Sequence, residues 1–198
     1  PQTPDVTVMD GTDTIDDAEY TVSYQNNTNA GTATVTVSDN NGGNYIVNGT
    51  ATFEITKKAP TFTAPAEITG LQYNGAAQEL VTAGVCHEGT VVYSVNGGNY
   101  SSAIPEGMAV GTYTIDYKVL GDANHSDTAP VQLTVKIDKN EVTNPTISLS
   151  QDTFIYNGSQ QKPIITVYDN NSRLIPEREY VATITGTNGN NGMVDVDT

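Results

Sequence analysis

Strict two-residue alternation of apolar and polar side chains recurs along this chain and leaves few folds open. In "GTYTIDYKV" (111–119), Tyr113, Ile115, Tyr117 and Val119 fall on one side of an extended strand, and Thr112, Thr114, Asp116 and Lys118 on the other. "VQLTVKI" does the same with Val131, Leu133, Val135 and Ile137, "GTATVTV" with Ala33, Val35 and Val37, and "ATFEI" with Ala51, Phe53 and Ile55. Period-2 patterning of this kind marks half-buried antiparallel strands with one wet face. Between them, "MDGTD", "NNGGN", "VNGGN" and "NGNNG" carry the Asn/Asp-Gly signature of hairpin turns. Gly, Asn and Thr abound, no amphipathic helix is legible, and 11 Tyr stand against 3 Phe and no Trp. The chain reads as all-β.

Internal similarity then divides it. "NAGTATVTV" aligns with "AVGTYTIDYKV" through Gly31 and Gly111, and "GGNYIVNGTATFEI" with "DANHSDTAPVQLTVKI" through Asn44 and Asn124, both at an offset of 80. "PDVTVMD" matches "PIITVYD" at an offset of 159, and "AEYTVSY" matches "REYVATI" at 160 through Tyr20 and Tyr180. Tyr73-Asn74-Gly75 returns 83 residues later as Tyr156-Asn157-Gly158. A repeat of roughly 80 residues gives three units: 1–59 with its first strand missing, 60–138 complete, and 139–198 with its last strand missing or altered. The joints "KKAPTFTAP" and "DKNEVTNPT" are short and Pro-bearing, which predicts a semi-rigid array. Tyr73 is expected in the core, followed by an Asn-Gly turn with positive φ. The alignment places a lost copy of this motif before Pro1. With Met9 as the first Met, the expectation is an excised piece of a longer protein. Incomplete end units predict open sheet edges that pair with, or swap strands with, a neighbouring chain.

Charge removes several function classes. Eight Lys plus Arg against 23 Asp plus Glu give a net charge of −15, a field that repels nucleic acid and anionic lipid. No apolar run is long enough to insert in a membrane. The acidic stretch "DGTDTIDDAEY" suggests weak Ca²⁺ binding, but Asp10, Asp13, Asp16 and Asp17 do not keep the spacing of an EF-hand loop, so the motif does not support it. His87 and His125 lie 38 residues apart without zinc-ligand spacing. Cys86 is the only cysteine, which excludes an intrachain disulfide, and it reads as a small half-buried strand residue. No nucleophile–base motif is present, so the expectation is no enzyme, no cofactor and no metal. Lys118 and Lys136 alternate onto the wet face, which argues against a buried Lys–Asn cross-link.

The combination of "YNG", "AVGTYTIDYKV", "GDANHSDTA" and a terminal "VQLTVKI" resembles the bacterial immunoglobulin-like tandem repeats, in particular the MBG-type repeats of large secreted and cell-surface proteins. The second unit departs in carrying His125 where the first has Tyr45, and the third in ending on "GMVDVDT". The resemblance implies tandem small Ig-like antiparallel β-sandwich domains in an elongated array, extracellular and either secreted or on the cell surface. The implied role is a non-catalytic spacer or stalk. The alternative is an adhesin-like module that binds a glycan or a host protein through turn tyrosines. Tyr45, Tyr93 and Tyr100, in or beside Gly/Asn-rich turns, are the candidate ligand surface.

Overall fold

The computed structural model of the chain describes residues 1–155, 157, 159, 161–170, 172–182, 184–185 and 193–194. The chain divides into two compact units, Pro1–Lys139 and Asn140–Thr198. It is all-β: the helices among the described residues are two three-residue 3-10 turns, at Asp17–Glu19 and Glu177–Glu179.

Within 1–59, "MDGTD" makes a tight hairpin of β1 (Met9–Asp10) and β2 (Asp13–Thr14), with Gly11 at φ 60° supplying the left-handed residue of the turn. β3 (Tyr20–Gln25), β4 (Gly31–Asp39) and β5 (Gly49–Ile55) follow as an antiparallel sheet in that order. Register is set by the alternation: Tyr24 lies opposite Val35, and Ala33 opposite Phe53. Ala33 and Val35 are buried while Val37 is half-buried, and Tyr24 meets Phe53 edge-on at 6.4 Å. Ile15, Tyr20 and Val47 form a separate small cluster with Val8 and Val37 against it. "NNGGN" departs from the hairpin expectation, because β4 and β5 are joined by a nine-residue loop, 40–48, instead of a tight turn.

Within 60–138 lie β6 (Phe62–Thr63), β7 (Leu71–Gln72), β8 (Gln78–Glu79), β9 (Val85–Cys86), β10 (Gly89–Val95), β11 (Glu106–Gly107), β12 (Gly111–Gly121) and β13 (Val131–Asp138). The main sheet has the order β10-β12-β13-β7. Its first three strands are antiparallel, and β7 lies parallel to β13, with Leu71 opposite Ile137. The pairs β6–β9 and β8–β11 complete the strands of this region. The inward row predicted for β12 is the one observed: Ile115, Tyr117 and Val119 are buried and Tyr113 is half-buried. They meet Val135 and Ile137 of β13, and also Leu80 and Val81, which follow β8 and are fully buried. Each large buried side chain contributes about 1.5–3 kcal/mol before chain entropy opposes it.

The Tyr-Asn-Gly motif is a turn, as expected: Gly75 has φ 77° and Asn74 Oδ1 accepts Ala76 N–H at 2.9 Å. Its tyrosine is not a core residue. Tyr73 is 37% exposed, and its N–H instead extends the β7–β13 pairing by bonding Asp138 O at 2.9 Å. Leu71, two residues earlier, packs on the core, but the regular strand ends at Gln72 and its alternation does not carry through to Tyr73.

In Asn140–Thr198, β14 (Thr146–Leu149), β15 (Ile165–Tyr168) and β16 (Leu174–Ile175) form one sheet, and β17 (Ile184–Thr185) pairs with β18 (Met193–Val194). Of the second Tyr-Asn-Gly copy, Tyr156 and Gly158 lie outside the described residues, as does "NGNNG" at 188–192 and most of the altered strand at 192–198.

Candidate functional site

Of the three candidate tyrosines, Tyr93 is the most buried. It is 4% exposed, its ring belongs to the core of 60–138, and its hydroxyl accepts Gly84 N–H at 2.7 Å. The Gly/Asn-rich turn begins three residues later, where Asn96 and Gly97 take φ 50° and 75°. Beyond that turn the chain folds back, and Ser101 exchanges two 2.8 Å backbone bonds with Tyr93. Val91, Val92, Tyr93 and Ser94 of β10 are all buried, so the Tyr93 ring is packed in the core instead of displayed at the surface.

Tyr45 is 46% exposed in loop 40–48. The carboxylate of Glu19 organises that loop, accepting N–H bonds from Asn44 and from Tyr45 (3.1 Å), and an Asn44 side-chain bond of 3.1 Å. Gly43 makes this approach possible, since a Cβ there would collide with the Glu19 carboxylate.

Tyr100 is 39% exposed and borders a shallow groove of about 610 Å³. Lys118 Nζ sits 4.7 Å from the centre of its ring. Thr90, Ser101, Ser102, His87 and Asp122 line the groove together with the apolar Val92 and Leu120. A half-exposed aromatic ring beside Ser, Thr and Asp residues offers both stacking and hydrogen bonding to a polyhydroxylated ligand. The structure does not unite the three tyrosines: Tyr100 borders this groove, Tyr93 is beneath the surface, and Tyr45 belongs to the loop of the preceding sheet.

The acidic stretch is occupied by local work. Asp10 and Asp13 face each other across the β1–β2 hairpin. Asp16 caps the following 3-10 turn by accepting Ala18 N–H at 2.9 Å, and Asp17 accepts the Tyr20 hydroxyl at 2.6 Å. That bond to a carboxylate, with burial second, raises the Tyr20 pKa above the usual phenol value. In the other unit, Asp169, aligned with Asp10, is buried against Arg173, with Nε 3.2 Å from its carboxylate. No group of three or more His, Cys, Asp or Glu is placed to hold a metal ion among the described residues. Cys86 is half-buried, packs on the core, and lies 3.8 Å from Thr61 O.

The densest polar constellation was not anticipated. Loop 122–126, between β12 and β13, reaches the sheet of 1–59. Asn124 Oδ1 accepts Ala30 N–H at 2.9 Å, and its amide nitrogen donates to Asn29 Oδ1 at 3.2 Å. Lys58 N–H donates to Asn124 O at 3.0 Å, and Ser126 N–H to Lys58 O at 2.9 Å, a short parallel bridge. Lys57 Nζ donates to Asp122 O at 2.9 Å. Behind this loop, His125 places Nδ1 2.7 Å from Asp122 Oδ1 and Nε2 3.4 Å from Glu88 Oε1, while Glu88 Oε2 accepts Thr61 N–H. The His125 ring donor, then the Asn124 N–H, hold the Asp122 carboxyl below its usual pKa. Gly121 admits the loop, because a Cβ there would strike the His125 carbonyl. The sequence carried one signal of this joint, the replacement of Tyr45 by His125 at the aligned position.

Compared with protein-family models, with curated proteins and with solved structures, the chain matches none. No helix among its described residues is long and apolar enough to cross a membrane.

Proposed function

We propose that this chain is a non-catalytic spacer: a run of small Ig-like β-sandwich repeats in the stalk of a bacterial secreted or cell-surface protein. The observation that supports the reading most is the return of local geometry at the repeat offsets. Gln78 Nε2 donates to Gln72 O at 3.0 Å and Asn74 Oδ1 accepts Ala76 N–H at 2.9 Å; Gln161 Nε2 donates to Ile155 O at 2.8 Å and Asn157 Oδ1 accepts Ser159 N–H at 3.0 Å. Tyr20 and Tyr180 each follow a 3-10 turn with near-identical backbone angles, and each hydroxyl lies within 3.5 Å of a carbonyl oxygen, of Val6 and Ile165 respectively. Gly31 and Gly111 both have positive φ and both open a strand opposite an Ile, Ile55 or Ile137. Units that each carry their own core, linked in line, transmit force while touching only their neighbours. Pulling single molecules by their ends tests this. Residues 60–138 are expected to unfold in a discrete step that releases about 260–280 Å of extended chain, less the span the folded unit already contributes. One cooperative step for the whole chain would overturn the reading.

The groove beside Tyr100 favours a second reading, a carbohydrate-binding or host-protein-binding module, with carbohydrate the better fit to its lining. Reproducible binding on a glycan array, abolished in Tyr100→Ala, would establish it. Retention of that binding in the variant would place the ligand elsewhere.

A further inference from the structure

We propose that loop 122–126 is a proton-tightened clasp, with His125 as the positioning residue that holds the sheet of 1–59 and the sheets of 60–138 in one fixed relation. The contacts that cross this joint come from backbone groups, from the uncharged Asn124 side chain, and from Lys57 Nζ, which donates to the Asp122 carbonyl. They depend on the loop keeping its shape, and that shape rests on the His125 ring between two carboxylates. Protonated, the ring donates from Nδ1 to Asp122 and from Nε2 toward Glu88, two charge-assisted contacts. Neutral, it keeps one donor. With the proton on Nδ1, the Nε2 lone pair confronts the Glu88 carboxylate at 3.4 Å, and an attraction becomes a repulsion.

Glu88 is tied to the linker through Thr61 N–H, so the disturbance reaches the joint from both sides. The other charged groups around the loop are, with one exception, not imidazoles. Lys57 bonds the Asp122 carbonyl, Lys58 takes part through its backbone, and the Asp127 carboxylate accepts Gly121 N–H. His87 is the exception, a second imidazole that lines the groove alongside Asp122. Loop 40–48 of the first sheet provides an internal contrast. There Glu19 takes backbone donors from Asn44 and Tyr45, and no imidazole intervenes.

Four amides report the state of the joint: Ala30, Lys58, Thr61 and Ser126. Hydrogen exchange followed by NMR on the full chain, expressed as protection factors so that the intrinsic pH effect divides out, is the test. Between about pH 5 and about pH 8 their protection is expected to fall severalfold, while amides within the β12–β13 ladder such as Ile115 stay constant. His125→Gln is expected to abolish the pH dependence, and Glu88→Gln to reduce it by preserving protection at the higher pH; His87→Gln is expected to leave it intact. Protection that is high at both pH values in the natural chain, or a pH dependence that survives His125→Gln, overturns the clasp and leaves the spacer reading untouched. Four unprotected amides at both pH values would overturn the joint itself, whereas the spacer reading stands or falls on the unfolding steps.

Discussion

The strand pairs β4–β5 and β12–β13 are built from aligned sequence and share register, yet the sheets that contain them are supported very differently. The later sheet has Leu80 and Val81 from a preceding segment packed on its inner face, and nine buried residues form one cluster. Its edges are engaged as well, β13 by parallel β7 and β10 by the Ser101 bridge. The earlier sheet buries Ala33 and Val35 and shares Tyr20 with a cluster of three. No strand pairs with the outer edge of β5 among the described residues. Strand grammar therefore specifies a sheet, while the depth of a core depends on whatever the chain lays across it.

The most direct way to break this comparison is to empty the two cores in turn. Leu80→Ala removes a fully buried side chain from the larger cluster and is expected to cost about 2–5 kcal/mol. Val47→Ala, in the cluster of three, removes fewer atoms from a site that relaxes more easily, and about 1 kcal/mol is expected. Urea unfolding followed by residue-resolved NMR separates the two regions. Equal losses would show that the first sheet is as well supported as the second.

Backbone geometry sharpens the comparison in the opposite sense, since here the sheets should agree. Gly31 and Gly111 have φ 130° and 154°, and neither has an atom within 4 Å of where a Cβ would stand. Substitution by Ala at either position meets only conformational strain, about 1–2 kcal/mol. The loss in each midpoint is expected to match its partner's, and a difference larger than the loss itself would dissolve the proposed equivalence of the two strands.

How much of this was legible depended on whether information was local. Alternation places Ile115, Tyr117 and Val119 inward because a strand has only two faces and one of them is dry. The same rule fails at β10, where Val91, Val92, Tyr93 and Ser94 are all buried; the segment after the Asn96-Gly97 turn folds back against the strand. Tyr73 misled for a related reason, because it sits one residue past the two-residue strand whose Leu71 turns inward. The joint showed only as a departure, His125 in place of Tyr45, with no indication of what it meets. Its partners, such as Ala30 and Asn124, are 94 residues apart, and nothing in either neighbourhood names the other.

A smaller effect is expected at alkaline pH, confined to the first sheet. Because Tyr20 donates to the Asp17 carboxylate, its pKa in the fold lies above the usual value near 10. The contribution is fully present below that unfolded value and is lost as pH rises through the folded one. Loosening of the Ile15–Tyr20–Val47 cluster above about pH 10 should coincide with phenolate absorbance, and Tyr20→Phe should remove the cluster's share of that transition. An alkaline transition unaltered by Tyr20→Phe would assign it to another tyrosine.

The smallest effect concerns the wet faces, where the two sheets differ in sign of charge but not in consequence. Glu54 on β5 lies opposite Thr32, whose hydroxyl donates to Glu54 Oε1, and Lys136 at the matching place on β13 lies opposite Thr112. Lys136 also pairs with Asp138, but the two side chains are 65% and 53% exposed. A pair this solvated gains little, because water screens the attraction and ordering two mobile side chains offsets much of what remains. Lys136→Ala and Glu54→Ala are each expected to shift stability by about 0–0.5 kcal/mol, in either direction. A loss of more than about 1 kcal/mol at one position alone would mean that its face is covered in solution, and that the two sheets differ on the outside as well as in their cores.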